Sequence, residues 1–475
     1  MRKIYYHIKK NKLFYLLVIL SICMSFFLLT FMSSEPDYYW HISAGKYMFN
    51  NGILKKDVFS WTALSKYWMS HEWLFEMFLY LIAIISSRYH LLIYGFICIC
   101  SLLLILLISN KKQYLKNIPL SLLWISFSII FLSFMQGRPN LISFNLLALL
   151  IWFLYDKYNN KDSKLIYFLP VIQILWSNVH GGSSNLVYLF CFVFFIVGLF
   201  NFKFSKIEAK RLDKKQLKSY LLIGIICMIT VNFNIHGFKM FLYPYQNMLD
   251  TTMLSSIGEW APTNLNIIQH YPYLLLVLLV FTILILSKKK ILFVDFILFL
   301  ISIYLGLKSI RFWAYTYIIM SYVIFNYVNE RKIDKGTNLI IGIISFVLIF
   351  IPIFNISNIK ENINKRLLSK DIVNVLKIEN PKRLFNMYNY GGELVNNNIK
   401  VFIDGRADLY SNVNLKDYLI IANLFGDYKE TINKYNFDYF LVSHNASISS
   451  YLNYSNENKI IYNDEELLLY KKTTE

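Results

Sequence analysis

The chain has 475 residues, of which 56% are hydrophobic and 18% aromatic, and its formal net charge is +19. Soluble globular proteins average roughly 45–50% apolar residues, so this composition excludes an ordinary soluble domain. The apolar residues are gathered into runs of about 15 to 21 residues, near the length that crosses the hydrocarbon core of a bilayer. The sequence therefore predicts a polytopic membrane protein.

The positive charge is concentrated in short connectors between the hydrophobic runs. Examples are "MRKIYYHIKKNK", "KFSKIEAKRLDKKQLK", "SKKK" and "NERK". A strongly basic chain suggests nucleic-acid binding, but Lys and Arg clusters beside hydrophobic spans instead mark the cytoplasmic side of a membrane protein. We therefore expect a membrane partner and no nucleic acid. The five cysteines all lie inside apolar runs, which argues against a disulfide framework or a CxxC metal site.

Twelve hydrophobic runs are candidates for membrane helices, and the first is long enough to be a retained anchor rather than a cleaved signal peptide. Taking the basic loop 201–218 as cytoplasmic, and counting runs from it, places residues 137–140, 180–182 and 236–270 outside, and the basic N-terminal segment places residues 33–71 outside. The count leaves one conflict, because two runs lie between residues 72 and 110, where the number of crossings must be odd. Either the short run 72–86 does not cross fully or another helix is misread, so we predict eleven to thirteen spans. The runs fall near residues 13–32, 72–86, 89–109, 118–136, 141–155, 165–179, 182–200, 219–235, 271–287, 291–307, 310–328 and 338–355.

The pattern changes after residue 355. Short β-rich runs, among them "RLFNMY", "KVFID", "FDYFLVS", "KIIYN" and "ELLLYKK", alternate with polar, helix-compatible stretches. A tail of about 120 residues is long enough for a small α/β domain. We therefore predict a mostly α protein: a transmembrane helical bundle at 1–355, which carries the external first loop 33–71, and an extracytoplasmic α/β domain at 356–475. The N-terminus is expected to be cytoplasmic.

This orientation gathers unusual polar residues on the outer side of the membrane. Ionisable groups at membrane depth are costly and usually functional, so their convergence on one face predicts an external functional site. The first loop contributes Glu35, Asp37, His41, Asp57, His71 and Glu72, and other external segments contribute Arg138, Asn178, His180, Glu259 and Arg311.

The acids Glu35 and Asp37 flank Pro36 where the first helix leaves the membrane. In an inverting sugar transfer, one carboxylate takes a proton from the acceptor as it attacks the anomeric carbon. A second carboxylate can orient the acceptor or hold a metal, and arginines stabilise the charge on a leaving phosphate. The alternative is a solvated turn, since Glu-Pro-Asp is typical turn chemistry.

The stretch 35–76 resembles the first extracytoplasmic loop of a group of bacterial membrane proteins of the GT-C type. In that group an acid-x-acid pair precedes an aromatic-His and Gly helix, an Asp-x-Phe-Ser turn and a His-Glu-Trp sequence. This chain has Glu35 and Asp37, Trp40-His41, Gly45, Asp57-Val58-Phe59-Ser60 and His71-Glu72-Trp73. The further matching blocks are "GRPN" at 137–140, "LWSNVHGG" at 175–182, "GEW" at 258–260, Arg311 at the start of a late helix, and "FIDGRADLY" at 402–410.

The resemblance implies an inverting, mannosyltransferase-like enzyme that depends on a polyprenyl-phosphate-linked sugar. GT-C glycosyltransferases take the sugar from this carrier at the outer face and pass it to a lipid, glycan or protein acceptor. Their acidic pair sits in the first external loop, where Glu35 and Asp37 fall, although the first position is often Asp. We expect Asp37 to be the catalytic base and Glu35 to orient the acceptor or hold a metal. The cofactor is left open: a divalent cation on Glu35 and Asp37 is one expectation, since some GT-C enzymes use one.

Several of the other residues keep a second interpretation. His41, beside Trp40, belongs either to the site or to an interfacial aromatic belt. His180 either binds substrate or ends a helix, and Arg406 either binds the acceptor or forms a structural pair with a neighbouring aspartate. Substrate-binding roles are predicted for His41, Asp57, His71, Glu72, Arg138, His180, Glu259, Arg311 and Arg406.

The predicted function is transfer of a sugar from a polyprenyl-phosphate-linked donor to a cell-envelope acceptor. The alternatives are a transporter or flippase of lipid-linked sugars and a non-catalytic envelope-assembly scaffold. A flippase moves the intact lipid, whereas the enzyme releases free polyprenyl phosphate. The long polar first loop and the external domain favour the enzyme.

Overall fold

A computed structural model of the chain describes residues 12–29, 36–86, 89–132, 137–249, 258–328, 366–410 and 414–473, with five isolated positions between residues 336 and 347. The helices are α1 (Lys12–Leu28), α2 (Pro36–Asn51), α3 (Trp73–Ile85), α4 (His90–Ser109), α5 (Lys111–Lys116), α6 (Ile118–Leu132), α7 (Asn140–Asn159), α8 (Leu169–Val179), α9 (Leu186–Gly198), α10 (Lys214–Thr230), α11 (Phe238–Leu249), α12 (Tyr271–Leu286), α13 (Phe293–Lys308), α14 (Trp313–Tyr327), α15 (Lys370–Glu379), α16 (Gly391–Asn396), α17 (Ala407–Tyr410), α18 (Asn414–Asn423), α19 (Tyr428–Tyr435) and α20 (Ser447–Tyr454). The strands are β1 (Phe202–Phe204), β2 (Ile207–Ala209), β3 (Ile291–Leu292), β4 (Leu384–Asn386), β5 (Tyr439–Ser443), β6 (Asn458–Asn463) and β7 (Leu467–Lys472).

The chain divides into two compact units. The first, which we call the membrane unit, consists of Met1–Ser33, Leu91–Pro244 and Ile257–Ile363. The second, which we call the α/β unit, consists of Ser34–His90, Tyr245–Ser256 and Asn364–Glu475. Residues from the predicted first external loop therefore cluster with the C-terminal residues. The predicted division at residue 355/356 stays a prediction.

The predicted fold class is confirmed: the protein is mostly helical, with membrane-spanning helices and a C-terminal α/β part. Within the described ranges, four helical segments are long and apolar enough to cross a membrane, and four shorter apolar helices accompany them. The four long segments are His90–Ser109, Asn140–Asn159, Gly181–Gly198 and Ile268–Leu286, and the shorter ones are Lys12–Leu28, Trp73–Ile85, Ile118–Leu132 and Leu165–Val179. The predicted run 338–355 lies outside the described residues, apart from isolated positions.

Helix α3 bears on the conflict in the predicted topology. It has 13 residues, and at 1.5 Å per residue such a helix is about 20 Å long. The hydrocarbon core of a bilayer is about 30 Å thick. This length favours the first of the two explanations, that the run at 72–86 does not cross the membrane fully.

Helix α14 is the central helix of the membrane unit, because nearly all of its residues are buried. A helix that is apolar on every side is suited to the core of a large protein or to a membrane span. Its polar atoms are paired: the Ser321 hydroxyl accepts a hydrogen bond from the Trp124 indole nitrogen at 2.7 Å. The Tyr317 hydroxyl donates to the Trp124 carbonyl at 2.9 Å, and the two rings stack. Helices α6 and α14 are thereby locked together.

The α/β unit contains a four-stranded sheet in the order β4-β5-β7-β6. Strands β4 and β5 are parallel, and the other two pairings are antiparallel. Four of the five predicted β-rich runs supply these strands. The fifth, "KVFID", does not become a strand of this sheet; instead Val401 pairs with Ser60 from the first loop.

The first loop shares a hydrophobic core with the C-terminal sheet. Trp40, Met48 and Trp68 are buried in the same cluster as the strand residues Leu384 and Leu441. Backbone hydrogen bonds support this packing, because the Trp61 amide donates to the Val401 carbonyl at 3.0 Å. The α/β unit is therefore assembled from two stretches far apart in the sequence, and its predicted functional residues come from both.

Candidate active site

Arg406 is the centre of a fully buried charged network, which we call the arginine cluster. Its Nη1 donates to Asp57 at 2.6 Å, and its Nε and Nη2 donate to Asp404 at 2.8 and 2.6 Å. Tyr410 completes the cluster by donating to Asp404 at 3.1 Å. The side chains of Arg406, Asp57 and Asp404 have no exposed surface. The cluster ties together two stretches that are 349 residues apart.

Asp57 also holds the turn of the predicted Asp-x-Phe-Ser motif. Its Oδ2 accepts hydrogen bonds from the Ser60 amide at 3.0 Å and the Ser60 hydroxyl at 2.7 Å. Burial alone would raise the pKa of Asp57, but the Arg406 charge and the hydrogen bonds from Ser60 and Arg406 lower it below its usual range. Since neither Asp57 nor Arg406 exposes its side chain, the geometry favours the structural interpretation of Arg406 over acceptor binding.

Asp37 lies in the first turn of α2, directly against Gly405. A Cβ atom at residue 405 would lie 1.6 Å from Oδ1 of Asp37, so any larger residue there would displace the carboxylate. Gly405 stands between Asp404 and Arg406 in the sequence. The arginine cluster therefore fixes the backbone that Asp37 contacts. Asp37 itself is only half-buried.

A second buried group, which we call the histidine cluster, consists of His41, Glu72 and Glu76. The Nε2 atom of His41 is 3.6 Å from Oε2 of Glu72, and its Nδ1 atom is 3.4 Å from Oε1 of Glu76. His41 is 2% exposed, Glu72 7% and Glu76 0%. Residues 37 and 41 are four apart on α2 and so share a helix face. Helix α2 can bring its acid and its histidine to one site because Gly45 lets it approach the Glu76 backbone closely.

His71 extends this region towards the C-terminal stretch. Its Nε2 atom is 3.1 Å from Oε1 of Glu72, and its Nδ1 atom is 3.9 Å from Oδ2 of Asp408. Burial alone would lower the pKa of His71, but the Glu72 carboxylate outweighs burial and raises the pKa above its ordinary value. His71 and Glu72 were both predicted site residues, and the structure brings them together with His41.

The histidine cluster has ligand atoms of a type and spacing that could hold a metal ion. One ligand atom from each of His41, Glu72 and Glu76 can be chosen so that all three lie within 4.8 Å of one another. Imidazole nitrogen and carboxylate oxygen are both common metal ligands. This set differs from the expected pair, since Asp37 is not in it and Glu35 lies outside the described residues.

In the membrane unit, the structure brings Arg311 to the predicted "GRPN" motif. The Nη2 atom of Arg311 is 3.5 Å from Oδ1 of Asn140, two residues after Arg138. The Arg311 guanidinium also lies 4.8 Å from the centre of the Trp260 ring. Both arginines are half-buried. The Arg311 guanidinium therefore lies beside the motif that carries Arg138, and arginine is suited to an anionic ligand.

His180 lies buried in a small polar network of the membrane unit. Its Nδ1 atom is 2.6 Å from the Ser143 hydroxyl and 3.1 Å from the Ser183 hydroxyl. The Trp176 indole nitrogen donates to the same two hydroxyl groups. His180 also follows the last residue of α8, as the helix-end interpretation predicted. A substrate-binding role for it stays a prediction.

The sequence analysis did not predict Glu76 as a site residue. Two further residues, Asp408 and Glu259, also need comment. Glu76 was hidden in a run that was interpreted as membrane helix, but its position four residues after Glu72 was a usable signal. Asp408 lies inside the block "FIDGRADLY" but was given no role, and its carboxylate is 3.9 Å from His71. The backbone of Glu259 belongs to a short 3-10 helix, and its side chain is outside what the structure describes.

These observations define the class of fold: a mostly helical, multispanning membrane protein with the C-terminal α/β part that was predicted. No family model matches the sequence, and no curated protein does.

Solved structures do match. One is the oligosaccharyltransferase of Archaeoglobus fulgidus in its apo form, with a TM-score of 0.55, 11% sequence identity, and coverage of 92% of this chain and 70% of that chain. Another is the archaeal oligosaccharyltransferase AglB from Archaeoglobus fulgidus in complex with an inhibitory peptide and a dolichol-phosphate, with a TM-score of 0.52, 10% identity and the same coverage. At these identities the likeness establishes the fold alone, and this fold is the GT-C type that was predicted.

Proposed function

We propose that this protein is a membrane glycosyltransferase, which transfers a sugar from a polyprenyl-phosphate-linked donor to an acceptor of the cell envelope. The observation that carries the proposal is the position of Asp37 in the α/β unit of a GT-C fold. Asp37 is a half-buried acid at the start of the helix that follows α1, and Gly405 fixes its place. The solved archaeal complex with a dolichol-phosphate and an inhibitory peptide supports a lipid-linked donor.

In this proposal Asp37 is the general base. Its carboxylate takes the proton from the acceptor as the acceptor atom attacks the anomeric carbon. The bond between the anomeric carbon and the phosphate oxygen breaks, and polyprenyl phosphate leaves with the electron pair. Attack from the face opposite the phosphate inverts the anomeric configuration. Glu35 orients the acceptor.

Arg138 and Arg311 are proposed to bind the donor phosphate. Arginine presents a planar fork that matches phosphate oxygens in a bidentate way. Asn140 and Trp260 hold Arg311 beside the "GRPN" motif, which supports a shared anion site for the two arginines. Charge that develops on the leaving phosphate is stabilised where such donors are already in position.

The main test is sugar transfer by the full chain, purified in detergent and supplied with a synthetic polyprenyl-phosphate sugar. Asp37→Asn keeps the shape of the side chain but removes its ability to take a proton. Loss of a general base should slow transfer by roughly a hundredfold to ten-thousandfold, while donor binding stays near the wild-type value. Release of free polyprenyl phosphate is measured in parallel, because a flippase would leave the donor intact.

A matched control is Asp371→Asn. Asp371 also lies in the first turn of a helix of the α/β unit, but it is exposed. We expect this variant to transfer sugar at the wild-type rate. Equal rates for Asp37→Asn and Asp371→Asn would contradict the role of Asp37.

The donor site is tested through Arg138 and Arg311. Arg311→Lys keeps one positive charge but loses the planar fork, so donor affinity should fall, and Arg311→Met should weaken it further. The same order is expected at Arg138. Wild-type donor affinity in both Met variants would remove the phosphate role from the proposal.

The proposal also requires the α/β unit to be extracytoplasmic, where a lipid-linked donor is used. Lys-rich connectors at 201–218 support this orientation. A reporter fused after residue 215 should be cytoplasmic, and a reporter fused after residue 410 should be external. Finding both reporters on one side would overturn the orientation.

A further inference from the structure

The histidine cluster holds buried polar atoms that the protein leaves without hydrogen bonds. Nδ1 of His41 and Oε1 of Glu76 are both buried and have no hydrogen-bond partner, although the two atoms are only 3.4 Å apart. Buried polar atoms are almost always satisfied in native proteins, because an unsatisfied one costs about 1–3 kcal/mol. An exception in the middle of a cluster of ligand-type side chains indicates a missing binding partner.

The two carboxylates of the cluster share one arrangement. In Glu76, Oε2 accepts a hydrogen bond from the Ser70 hydroxyl at 2.9 Å, while Oε1 is directed to His41. In Glu72, Oε1 lies 3.1 Å from Nε2 of His71, while Oε2 is directed to His41. Each acid therefore has one oxygen held by a neighbour and the other directed to His41, Glu72 to its Nε2 atom and Glu76 to its Nδ1 atom. Such outer hydrogen bonds orient the ligands of protein metal sites.

We propose that His41, Glu72 and Glu76 bind one divalent transition metal ion, such as Zn²⁺ or Mn²⁺. Metal–ligand bonds of about 2.0–2.2 Å keep the ligand atoms of one ion within about 4.4 Å of each other. The ligand atoms lie within 4.8 Å of one another, so the side chains have to move inward to bind one ion through a single nitrogen of His41. The imidazole ligand favours a transition metal over Mg²⁺ or Ca²⁺, which prefer sites made of oxygen alone.

The proposal differs from the site expected on Glu35 and Asp37, and it does not depend on sugar transfer. The ion would join α2 to the start of α3, one helical turn along α2 from Asp37. Three protein ligands leave at least one position on the ion for a further ligand.

The test measures bound metal rather than activity. Full-length protein in detergent is stripped with a chelator, reloaded with Zn²⁺, Mn²⁺ or Mg²⁺, separated from free ions and analysed by mass spectrometry. We expect one equivalent of Zn²⁺ or Mn²⁺ in the wild type and at least a tenfold loss in His41→Ala and Glu76→Gln. Co²⁺ should give a visible absorption spectrum in the wild type that both variants lack.

The controls keep the test decisive if a ligand variant fails to fold. Ser70→Ala leaves all three ligands in place but removes the hydrogen bond that orients Glu76, so metal affinity should fall about tenfold to a hundredfold. His444→Ala and Glu457→Gln change a histidine and an acid outside the cluster, in exposed parts of the α/β unit, and should bind metal as the wild type does. Wild-type protein without bound metal, or metal retained equally in all variants, would overturn the proposal. A failure here leaves the proposal for Asp37 standing.

Discussion

The arginine cluster and the histidine cluster are both buried in the α/β unit, but their polar atoms are satisfied to different degrees. In the arginine cluster, Arg406 donates to both Asp57 and Asp404, and no side chain of these three is exposed. In the histidine cluster, an imidazole nitrogen of His41 and a carboxylate oxygen of Glu76 have no hydrogen-bond partner. A buried network in which every polar atom has a hydrogen-bond partner stabilises the fold. Buried polar atoms without partners destabilise the protein until a ligand binds them. The motif residues of this chain therefore divide into those that hold the fold and those suited to chemistry.

The largest effect is expected where the saturated network is broken. Arg406→Met leaves Asp57 and Asp404 buried without a counter-charge, and removal of one partner from a buried ion pair typically costs about 3–5 kcal/mol. The free energy of unfolding of the detergent-solubilised chain should fall by this amount in denaturant titrations followed by tryptophan fluorescence. Trp68 is a suitable reporter, because its ring lies 4.8 Å from the guanidinium.

A triple variant sharpens this result. When Asp57→Asn and Asp404→Asn are added to Arg406→Met, no buried charge is left unbalanced, so part of the lost stability should return. If Arg406→Met unfolds at the wild-type denaturant concentration, the cluster does not hold the two stretches of sequence together.

The next largest effect is expected at Gly405, where the backbone of the arginine cluster contacts Asp37, the proposed general base. In Gly405→Ala the new Cβ would lie 1.6 Å from Oδ1 of Asp37, so the carboxylate has to move. Overpacking of this kind typically costs about 1–3 kcal/mol of stability. Sugar transfer should fall further than stability alone explains, since the general base is displaced.

Gly258→Ala is the matched control for stability, because a Cβ at residue 258 meets no atom within 4 Å. The unfolding of this variant should match that of the wild type. Full transfer by Gly405→Ala would show that Asp37 does not need its observed position.

The comparison also shows what the sequence could reveal. Hydrophobic run lengths and charged connectors predicted the membrane helices, and β-rich runs predicted β4 to β7, because these features depend on local pattern. The pairing of Ser60 with Val401 could not be predicted, since it depends on a contact between residues 341 apart. The structural role of Asp57 could not be predicted either, since its partner Arg406 is 349 residues away.

Within the candidate site, the sequence predicted several of the residues that are neighbours in the structure, but it did not predict which side chains contact each other. His41, His71 and Glu72 were singled out from the sequence, and they lie together in the structure. Glu76 was missed because the apolar residues around it dominate the run at 72–86. An acid buried in an apolar helix is costly, and this cost was the signal that it belongs to a site.

A smaller effect, which depends on pH, is expected for Asp57→Asn, because Asp404 still balances the charge of Arg406 in this variant. The folded protein lowers the pKa of Asp57, so this residue contributes stability above its unfolded pKa of about 3.9, and the contribution is lost as the pH falls through the folded value. The gap in unfolding free energy between wild type and Asp57→Asn should therefore be largest near neutral pH and narrow below about pH 4. Thermal unfolding from pH 3 to pH 7 measures the gap. A gap that stays constant over this range would contradict the charged pairing with Arg406.

The smallest effect is expected for an ion pair at the surface of the same unit. Lys471 donates to Glu379 at 2.8 Å, nearly as close as Arg406 is to Asp57. The side chains of Lys471 and Glu379 are 48% and 27% exposed, however, so water and salt screen the attraction. Lys471→Gln should leave the unfolding midpoint of the chain unchanged within error, at both low and high salt. If this substitution destabilises the protein as much as Arg406→Met does, then burial is not what makes the arginine cluster strong, and the distinction between the two regions fails.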